Sequence, residues 1–472
     1  MFEFLEKYIM NPLTKFSQRK FVRAITRGGM STIGITIVGS LFLVLNILPD
    51  VIPALQGFYD NTLYKVSDIY MLAFSATMNL MALYFAAVIS YEYCTIIRDE
   101  EDVDVSPIQA VVLGIFSFVM TIPQFSSGED LKRLNDPANN ILNGWAIGDA
   151  PSRMGGTGVF IAIVMAYISV NMYKWCIKRN FVIRMPESVP EGVSNSFISL
   201  IPAFIIALAI MIIDGILISL GTDLFEVISI PFGFVTKLTN SWLGLLVIMF
   251  LWHALWVVGI HGSTVIGSLV GPIQLVNLTQ NQQGARIPFA GDLTTPFIII
   301  GGAGCTLGLV LLMAFAAKSE HFKTLGKAAI VPGIFNINEP IIFGLPIVYN
   351  PDFIVPFIGV PLVNATISYF AIKSGFMNPI VAQQPWPTPV GLGGFIATGG
   401  DWKAIIVPLI CLAASVLIYF PFFKRTDNRL YAEQLAEENN VDITNIVIDD
   451  ENNEVKIVEN KEIKNSEENG FL

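Results

Sequence analysis

Phe335–Pro351 reads FNINEPIIFGLPIVYNP. Pro340, Pro346 and Pro351 interrupt it, Pro332 lies just upstream, and Asn336, Asn338 and Asn350 are spread through it. Its one carboxylate, Glu339, stands in otherwise apolar sequence. An ionisable group in an apolar stretch of a membrane chain marks a functional site by default. Proline pushes the residue before it away from the helical region, so irregular backbone is expected at Glu339. Irregular backbone at membrane depth persists only where protein or a water-filled cavity covers it. The stretch therefore reads as a re-entrant segment lining a polar site.

The surrounding chain supplies the membrane context. Of its 472 residues 53% are hydrophobic and 14% charged, whereas soluble domains carry about 25% charged residues. Apolar runs near the ~20 residues that cross a bilayer fall at 32–50, 70–92, 107–123, 158–176, 197–220, 242–260, 263–279, 296–317, 354–373 and 402–422. The expected class is an all-α polytopic membrane protein. It has about ten transmembrane helices, two re-entrant hairpins and amphipathic interfacial helices. The first 29 residues are basic and aromatic, with no apolar core of signal-peptide type, and suit a helix lying on an anionic membrane face.

Charge sets the orientation. With the N-terminus cytoplasmic, the inside segments up to Arg429 hold seventeen Lys and Arg and the outside segments eight, as the positive-inside rule requires. The 263–279 run is short and glycine-containing. Dropping it would put Lys318, Lys323 and Lys327 outside, so it is kept, and both termini face the cytoplasm. The formal charge of −10 comes largely from acidic residues after Tyr431 and does not indicate a partner. Four domains are expected: 1–220, a scaffold and dimerisation domain; 221–240, an amphipathic linker helix; 241–423, a substrate-binding transport domain; and 424–472, a disordered acidic cytoplasmic tail. The transport assignment rests on two Pro- and Gly-interrupted segments, 329–351 and 378–400, in that half.

Cys94, Cys176, Cys305 and Cys411 lie far apart with no C-x-x-C spacing, so neither a metal site nor a disulfide framework is suggested. No phosphate-binding glycine motif is complete, which argues against nucleotide chemistry. No cofactor and no nucleic acid partner are expected. His261, in WVVGIHGSTV, is framed by Gly259 and Gly262, which permit close backbone approach. His253 reads as packing and His321 as a solvated loop residue. Glu339 suits a hydrogen-bond acceptor, a general base or a proton carrier; the alternative is a carboxylate capping a turn. Asn336 and Asn338 suit either ligand hydroxyls or turn backbone. Trp386, in QQPWPTP, and Trp256 suit stacking on a ligand ring or a membrane-interface belt. Asp214 sits in an apolar run with no partner evident. Gly267-x-x-x-Gly271 and Gly304-x-x-x-Gly308 read as helix-packing motifs.

GIHG at 259–262, followed by NINEPIIFGLPIVYNP at 336–351, resembles the EIIC sugar permeases of bacterial phosphotransferase systems. The similarity is to the lactose, cellobiose and N,N′-diacetylchitobiose family, over about residues 1–425. Trp256 and QQPWPTP fit the same pattern. The resemblance implies a homodimer in the bacterial cell membrane that takes up a β-linked disaccharide. It implies phosphorylation of a sugar 6-hydroxyl by the phosphocysteine of a cytoplasmic EIIB, itself fed by EIIA, HPr and enzyme I. His261 and Glu339 would hold or activate that hydroxyl, with Trp256, Asn338 and Trp386 binding substrate. Transport would be an elevator-like movement of the second half against a dimeric first half. No cysteine follows Cys411, so the phosphocysteine is expected on a separate polypeptide, and the chain alone should transfer no phosphate. The competing reading is a proton-coupled secondary sugar transporter using Glu339 and His261 as its relay. A scaffold or receptor reading has only the acidic tail in its favour.

Overall fold

The structure, a computed structural model, describes residues 11–122, 125–127, 131–133, 153–186, 189–345, 347, 350, 352–439, 446–449 and 454–457. A short helix, α1 (Asn11–Ser17), precedes the 32-residue α2 (Lys20–Val51). The surface leader and the first apolar run were expected as separate elements, yet α2 runs unbroken from Lys20. The reason is local charge pairing. Lys20 meets Glu101 at 3.3 Å, Arg23 meets Glu100 at 2.6 Å and Arg27 meets Glu92 at 3.7 Å. These bases are held on the bundle rather than left to lipid head groups.

A first bundle follows: α3 (Gln56–Asn61), α4 (Ser67–Met78), α5 (Met81–Glu101), α6 (Pro107–Met120) and α7 (Val159–Lys178). Its centre is α5, where Met81, Ala82, Ala86, Ile89, Cys94 and Ile97 are fully buried against α2, α6 and α7. Glu101 also receives Lys174 and Lys178 at 3.2 and 2.9 Å. The start of α2 and the ends of α5 and α7 therefore share one face. A small antiparallel hairpin, β1 (Phe125–Ser127) with β2 (Leu131–Arg133), lies between α6 and α7 in sequence.

Helices α8 (Glu191–Ile198) and α9 (Leu200–Ser219) lead into α10 (Leu224–Thr239), which covers the expected linker. Val227, Ile230, Phe234 and Leu238 leave an apolar stripe of α10 exposed. Asp214 finds its partner here, accepting a hydrogen bond from the Leu224 N–H at 2.8 Å. Asp223 caps α10 through the Glu226 N–H at 2.8 Å and pairs with Arg153 at 2.7 Å. The Arg153 guanidinium lies over the Phe225 ring at 4.3 Å. Two carboxylates thus serve the N–H groups at the positive end of α10 and tie it to the first bundle.

The chain then turns 83° into α11 (Trp242–Val257) and enters a second bundle. This comprises α12 (Gly262–Gln282), α13 (Leu307–Ala316), α14 (Glu320–Ile334), α15 (Glu339–Gly344), α16 (Ile354–Lys373), α17 (Leu392–Ala397) and α18 (Lys403–Asn439). Among the described residues five helices are long and apolar enough to cross a membrane, or eight if each of three bent pairs counts as one span. The runs at 107–123 and 263–279 fall on α6 and α12, of 14 and 21 residues.

Three expectations need correction. The 296–317 run is not one helix. A π-helical turn at Thr294–Ile298 gives way to Gly301, Gly302 and Gly304, all with positive φ, and α13 starts after a 58° bend. Glycine takes these angles without the clash a Cβ would bring. A Cβ at Gly302 would collide with the Asn338 side chain and one at Gly304 with the Phe357 ring.

The backbone at Glu339 is helical, not irregular. The irregularity sits earlier, at Asn336 with φ 62°, and Pro340 occupies the start of α15, where a missing N–H leaves no helix bond broken. Pro346, Val348, Tyr349 and Pro351 lie outside the described residues. The tail is not wholly disordered. α18 continues through 424–439, with Asp427, Asn428 and Ala432 buried. Further on, β3 (Ile446–Asp449) pairs antiparallel with β4 (Glu454–Ile457).

Side chains of the second bundle serve the broken span. Asn364 Nδ2 donates to Ile298 O at 3.1 Å, Asn338 Nδ2 to Ala303 O at 2.7 Å and Ser415 Oγ to Cys305 O at 2.7 Å. The Tyr419 hydroxyl donates to Gly304 O at 2.8 Å, and Tyr419 is fully buried. Tyr419→Phe keeps the ring and removes that donor. It should destabilise the protein by about 1–3 kcal/mol, seen as a lower unfolding midpoint in detergent with unchanged helix content; an unaltered midpoint would refute the role.

Candidate functional site

The turn between α11 and α12 presents His261. Gly259, with φ 77°, lets the chain reverse, and Gly262 packs so closely that a Cβ would strike the Trp252 carbonyl. His261 is the N-cap of α12. Its Nδ1 lies 2.8 Å from Ser263 Oγ, 3.0 Å from Thr264 Oγ1 and 3.3 Å from the Thr264 N–H. A backbone N–H can only donate, so Nδ1 is the accepting nitrogen and Nε2 carries the proton in the neutral ring. The imidazole rests on the Trp256 ring, centroids 4.4 Å apart.

His261 lines a cavity of about 380 Å³, within the ~300–1,000 Å³ range of small-molecule sites. Its walls come from both bundles. α2 and α5 contribute Ile25, Met30, Ile33 and Phe85; the second bundle contributes Trp252, His261, Gln274, Asp292, Thr294 and Gln383. Gly267 and Gly271, expected as helix-packing residues, line this space instead, and a Cβ at Gly271 would meet nothing within 4 Å. Gly304 and Gly308 do pack, against Phe357 and Ser415.

Asp292 escaped sequence reasoning. Its carboxylate accepts from the Thr295 N–H at 2.9 Å and stands 3.5 Å from Gln384 Nε2. The available signal was GDLTTP at 291–296, an acid between two apolar runs. Gln274 and Gln383 were missed as well, because an amide in an apolar helix or a proline-rich loop has no distinctive spacing.

Glu339 is exposed at the start of α15, and its charge is felt at the His261 ring. It is not on the cavity wall. Asn338 is buried, its Nδ2 donating to Ala303 O and, at 3.0 Å, to Thr306 Oγ1. Asn336 accepts from the Gly301 N–H at 2.9 Å and donates to Thr388 O at 3.1 Å. Both asparagines fasten the Glu339 turn to the broken span, and Asn338 does not line the cavity. Trp386 is exposed and stands apart from the cavity.

The structure thus stacks His261 on Trp256, leaves Glu339 acting on the imidazole through its charge, and holds Trp386 apart from the cavity. His253 is fully buried with Nδ1 2.7 Å from Met249 O, a packing role; His321 is exposed. Among the described residues no cluster of three His, Cys, Asp or Glu could hold a metal ion. The chemistry offered is that of a polar ligand without charge: carboxylate and amide acceptors, one imidazole donor and an indole wall. The acid–imidazole pair can take a hydroxyl proton.

Comparison with known proteins agrees with this architecture. Residues 26–361 match the family described as "Phosphotransferase system, EIIC". The chain is 33% identical to the lichenan permease IIC component of Bacillus subtilis (strain 168), over 93% of this chain and 96% of that one. It is 32% identical to the cellobiose-specific EIIC component of Geobacillus stearothermophilus, over 92% and 96%. It also matches the lactose-specific EIICB component of Lacticaseibacillus casei at 31% identity, over 89% of this chain and 70% of that one. The crystal structure of ChbC, the IIC component of an N,N′-diacetylchitobiose-specific phosphotransferase system, superposes with a TM-score of 0.79. Identity there is 31%, over 93% of this chain and all of that one. With a family match across most of its length and a helical membrane-type fold shared with a solved transporter, this chain belongs to the EIIC family of the sugar phosphotransferase system.

Proposed function

We propose that the protein binds a β-linked disaccharide of the cellobiose, diacetylchitobiose or lactose type, carries it inward, and presents it to a separate EIIB. The observation that carries this reading is the His261–Glu339 pair beside a cavity whose walls come from two bundles. Relatives named for lichenan, cellobiose, lactose and oligo-beta-mannoside support a β-linked substrate. The EIICB relatives support EIIB as the partner, with EIIA, HPr and enzyme I upstream.

The transfer step is a displacement at phosphorus. The sugar 6-hydroxyl oxygen attacks the phosphorus of the EIIB phosphocysteine. A P–O bond forms, the P–S bond breaks, and the cysteine leaves as thiolate. The hydroxyl proton passes to Glu339. His261 Nε2–H donates to the same hydroxyl or to a neighbouring one and fixes its direction, while the Trp256 ring limits how the imidazole can tilt. Among the described residues the Glu339 carboxylate receives no side-chain or backbone hydrogen bond, so it is free to accept one from substrate. We assign Trp386 to the rim of the site and Asn338 to its support.

Movement of the second bundle against the first would carry the substrate, because the cavity is closed on one side by α2 and on the other by α12. The first bundle, 1–220, is the fixed and dimeric part, with Phe204, Leu208, Met211 and Ile212 of α9 exposed and apolar; α10 is the linker and 241–423 the moving part. The ion pairs and cappings sort by side. Lys20, Arg23, Lys174 and Lys178 meet acids on one face, and Arg153 and Asp223 pair at the other. Charge counting makes the first face cytoplasmic, with about ten crossings and both termini inside.

Purified protein with EIIB, EIIA, HPr, enzyme I and phosphoenolpyruvate should convert labelled cellobiose to its phosphate. Glu339→Gln should lower that rate by about 10²–10⁴-fold, the usual worth of a general base. Accumulation of free sugar without a phosphate donor, abolished by a protonophore, would overturn the reading in favour of proton coupling. Gly271→Leu places a side chain in the empty part of the cavity. It should abolish equilibrium sugar binding while leaving the unfolding midpoint within a few degrees of the parent; retained binding would move the substrate site elsewhere.

A further inference from the structure

We propose that residues 427–434 of α18 position Glu339, by gripping both ends of the segment that carries it. The inference rests on the reading of Glu339 given above. α18 continues well past its apolar part, to Asn439, and the first residues of this extension are buried rather than solvated. Asp427 is 3% exposed and its partner Ser319 is 1% exposed.

The upstream tie is dense. Asp427 Oδ2 accepts from the Lys318 N–H at 2.7 Å; Oδ1 accepts from the Ser319 N–H at 3.1 Å and from Ser319 Oγ at 2.7 Å. Ser319 is the N-cap of α14. Gln434 Oε1 accepts from the Glu320 N–H at 3.0 Å, and Asn428 Oδ1 receives Lys318 Nζ at 3.3 Å. Phe322 stacks on Phe423, centroids 5.9 Å apart. A buried carboxylate at the start of a helix is favoured by the unpaired N–H groups and by the helix dipole.

The downstream tie is a single pair, Arg429 to Asp352 at 2.9 Å. Asp352 lies thirteen residues after Glu339, beyond α15. Between the two ties, α14 runs as a stiff rod to the turn at Asn336. There Asn336 and Asn338 are locked to the broken span. Glu339 follows directly. Its place is therefore set by three anchors, two of them on one short stretch of α18. A displacement of about 1 Å at a reacting group costs on the order of 10²-fold in rate, so loosening an anchor should act on the transfer step more than on sugar capture.

The test uses the full chain in the reconstituted phosphotransfer assay, with labelled cellobiose, together with equilibrium binding of the same sugar. D427N keeps the shape of the side chain but removes an acceptor. It should lower kcat by about tenfold or more while changing sugar affinity by less than about threefold. Added to E339Q it should cause no further loss, because both act through one carboxylate. R429D should show a smaller loss of the same kind, and R429D/D352R should recover most of it; this arm decides the matter if D427N does not fold. Wild-type kcat in D427N beside an inactive E339Q overturns this proposal alone, as do losses that multiply in the double variant or a reversed pair that recovers nothing. Wild-type kcat in E339Q overturns the reading on which it rests.

Discussion

A peptide carbonyl that leaves a helix inside a membrane must find another donor. Leaving one unpaired in an apolar medium costs several kcal/mol. That constraint governs the second bundle. Between Ile298 and Thr306 the chain abandons helical geometry, and the carbonyls of Ile298, Ala303, Gly304 and Cys305 accept from Asn364, Asn338, Tyr419 and Ser415. These donors come from α16, the Glu339 turn and α18. Three elements distant in sequence are thus drawn onto one break. The break in turn fixes where Glu339 can stand, because Asn338 is its immediate neighbour.

The two bundles answer different demands. In the first, α5 is wrapped by regular helices, with small and medium side chains fully buried along one face and ion pairs gathered at one end. Its irregular backbone among the described residues lies at helix ends and connections, such as Asp102 and Asn180. The second holds the breaks and the short helices α15 and α17. It also contributes every member of the His261, Trp256 and Glu339 group. α12 lies at the contact between them, packed on α2 and α7, and its Gly267 and Gly271 leave space where larger residues would close it. A binding space shared by a regular body and an irregular one changes shape when either shifts, which a permease requires and a rigid receptor does not.

Much of this was legible in the sequence, for identifiable reasons. Each expected apolar run falls on a helix or a broken pair, because burial in lipid demands uninterrupted apolar length. The bases Lys20, Arg23, Lys174 and Lys178, counted on one side in the sequence, meet acids at one end of the first bundle. His261 and Glu339 are legible as candidates because ionisable groups stand out in apolar sequence. What escaped depends on partners far along the chain. The helix at 424–439 reads as an acidic solvated tail until Asp427 meets Ser319, 108 residues earlier. The break at 301–305 looks like a packing motif until its glycines take positive φ. Asp292 has no local signature, and neither amide of Asn336 and Asn338 declares in sequence whether it faces a ligand or a carbonyl.

Five carboxylates among the described residues divide by what already occupies their oxygens. Asp427 holds three donors, Asp223 a backbone N–H and Arg153, and Asp214 the Leu224 N–H at the start of α10. Each meets the start of a helix, and the hydrogen bonds it accepts fasten that helix end in place. Asp292 accepts from the Thr295 N–H and from Gln384 and lines the cavity. Glu339 is exposed and receives no hydrogen bond from the described residues, and its charge is felt at the His261 ring. Its oxygens are open to a donor that a ligand brings, and a hydroxyl is such a donor. The same residue type thus builds the frame where its oxygens are filled and stays open to a hydrogen-bond donor where they are not.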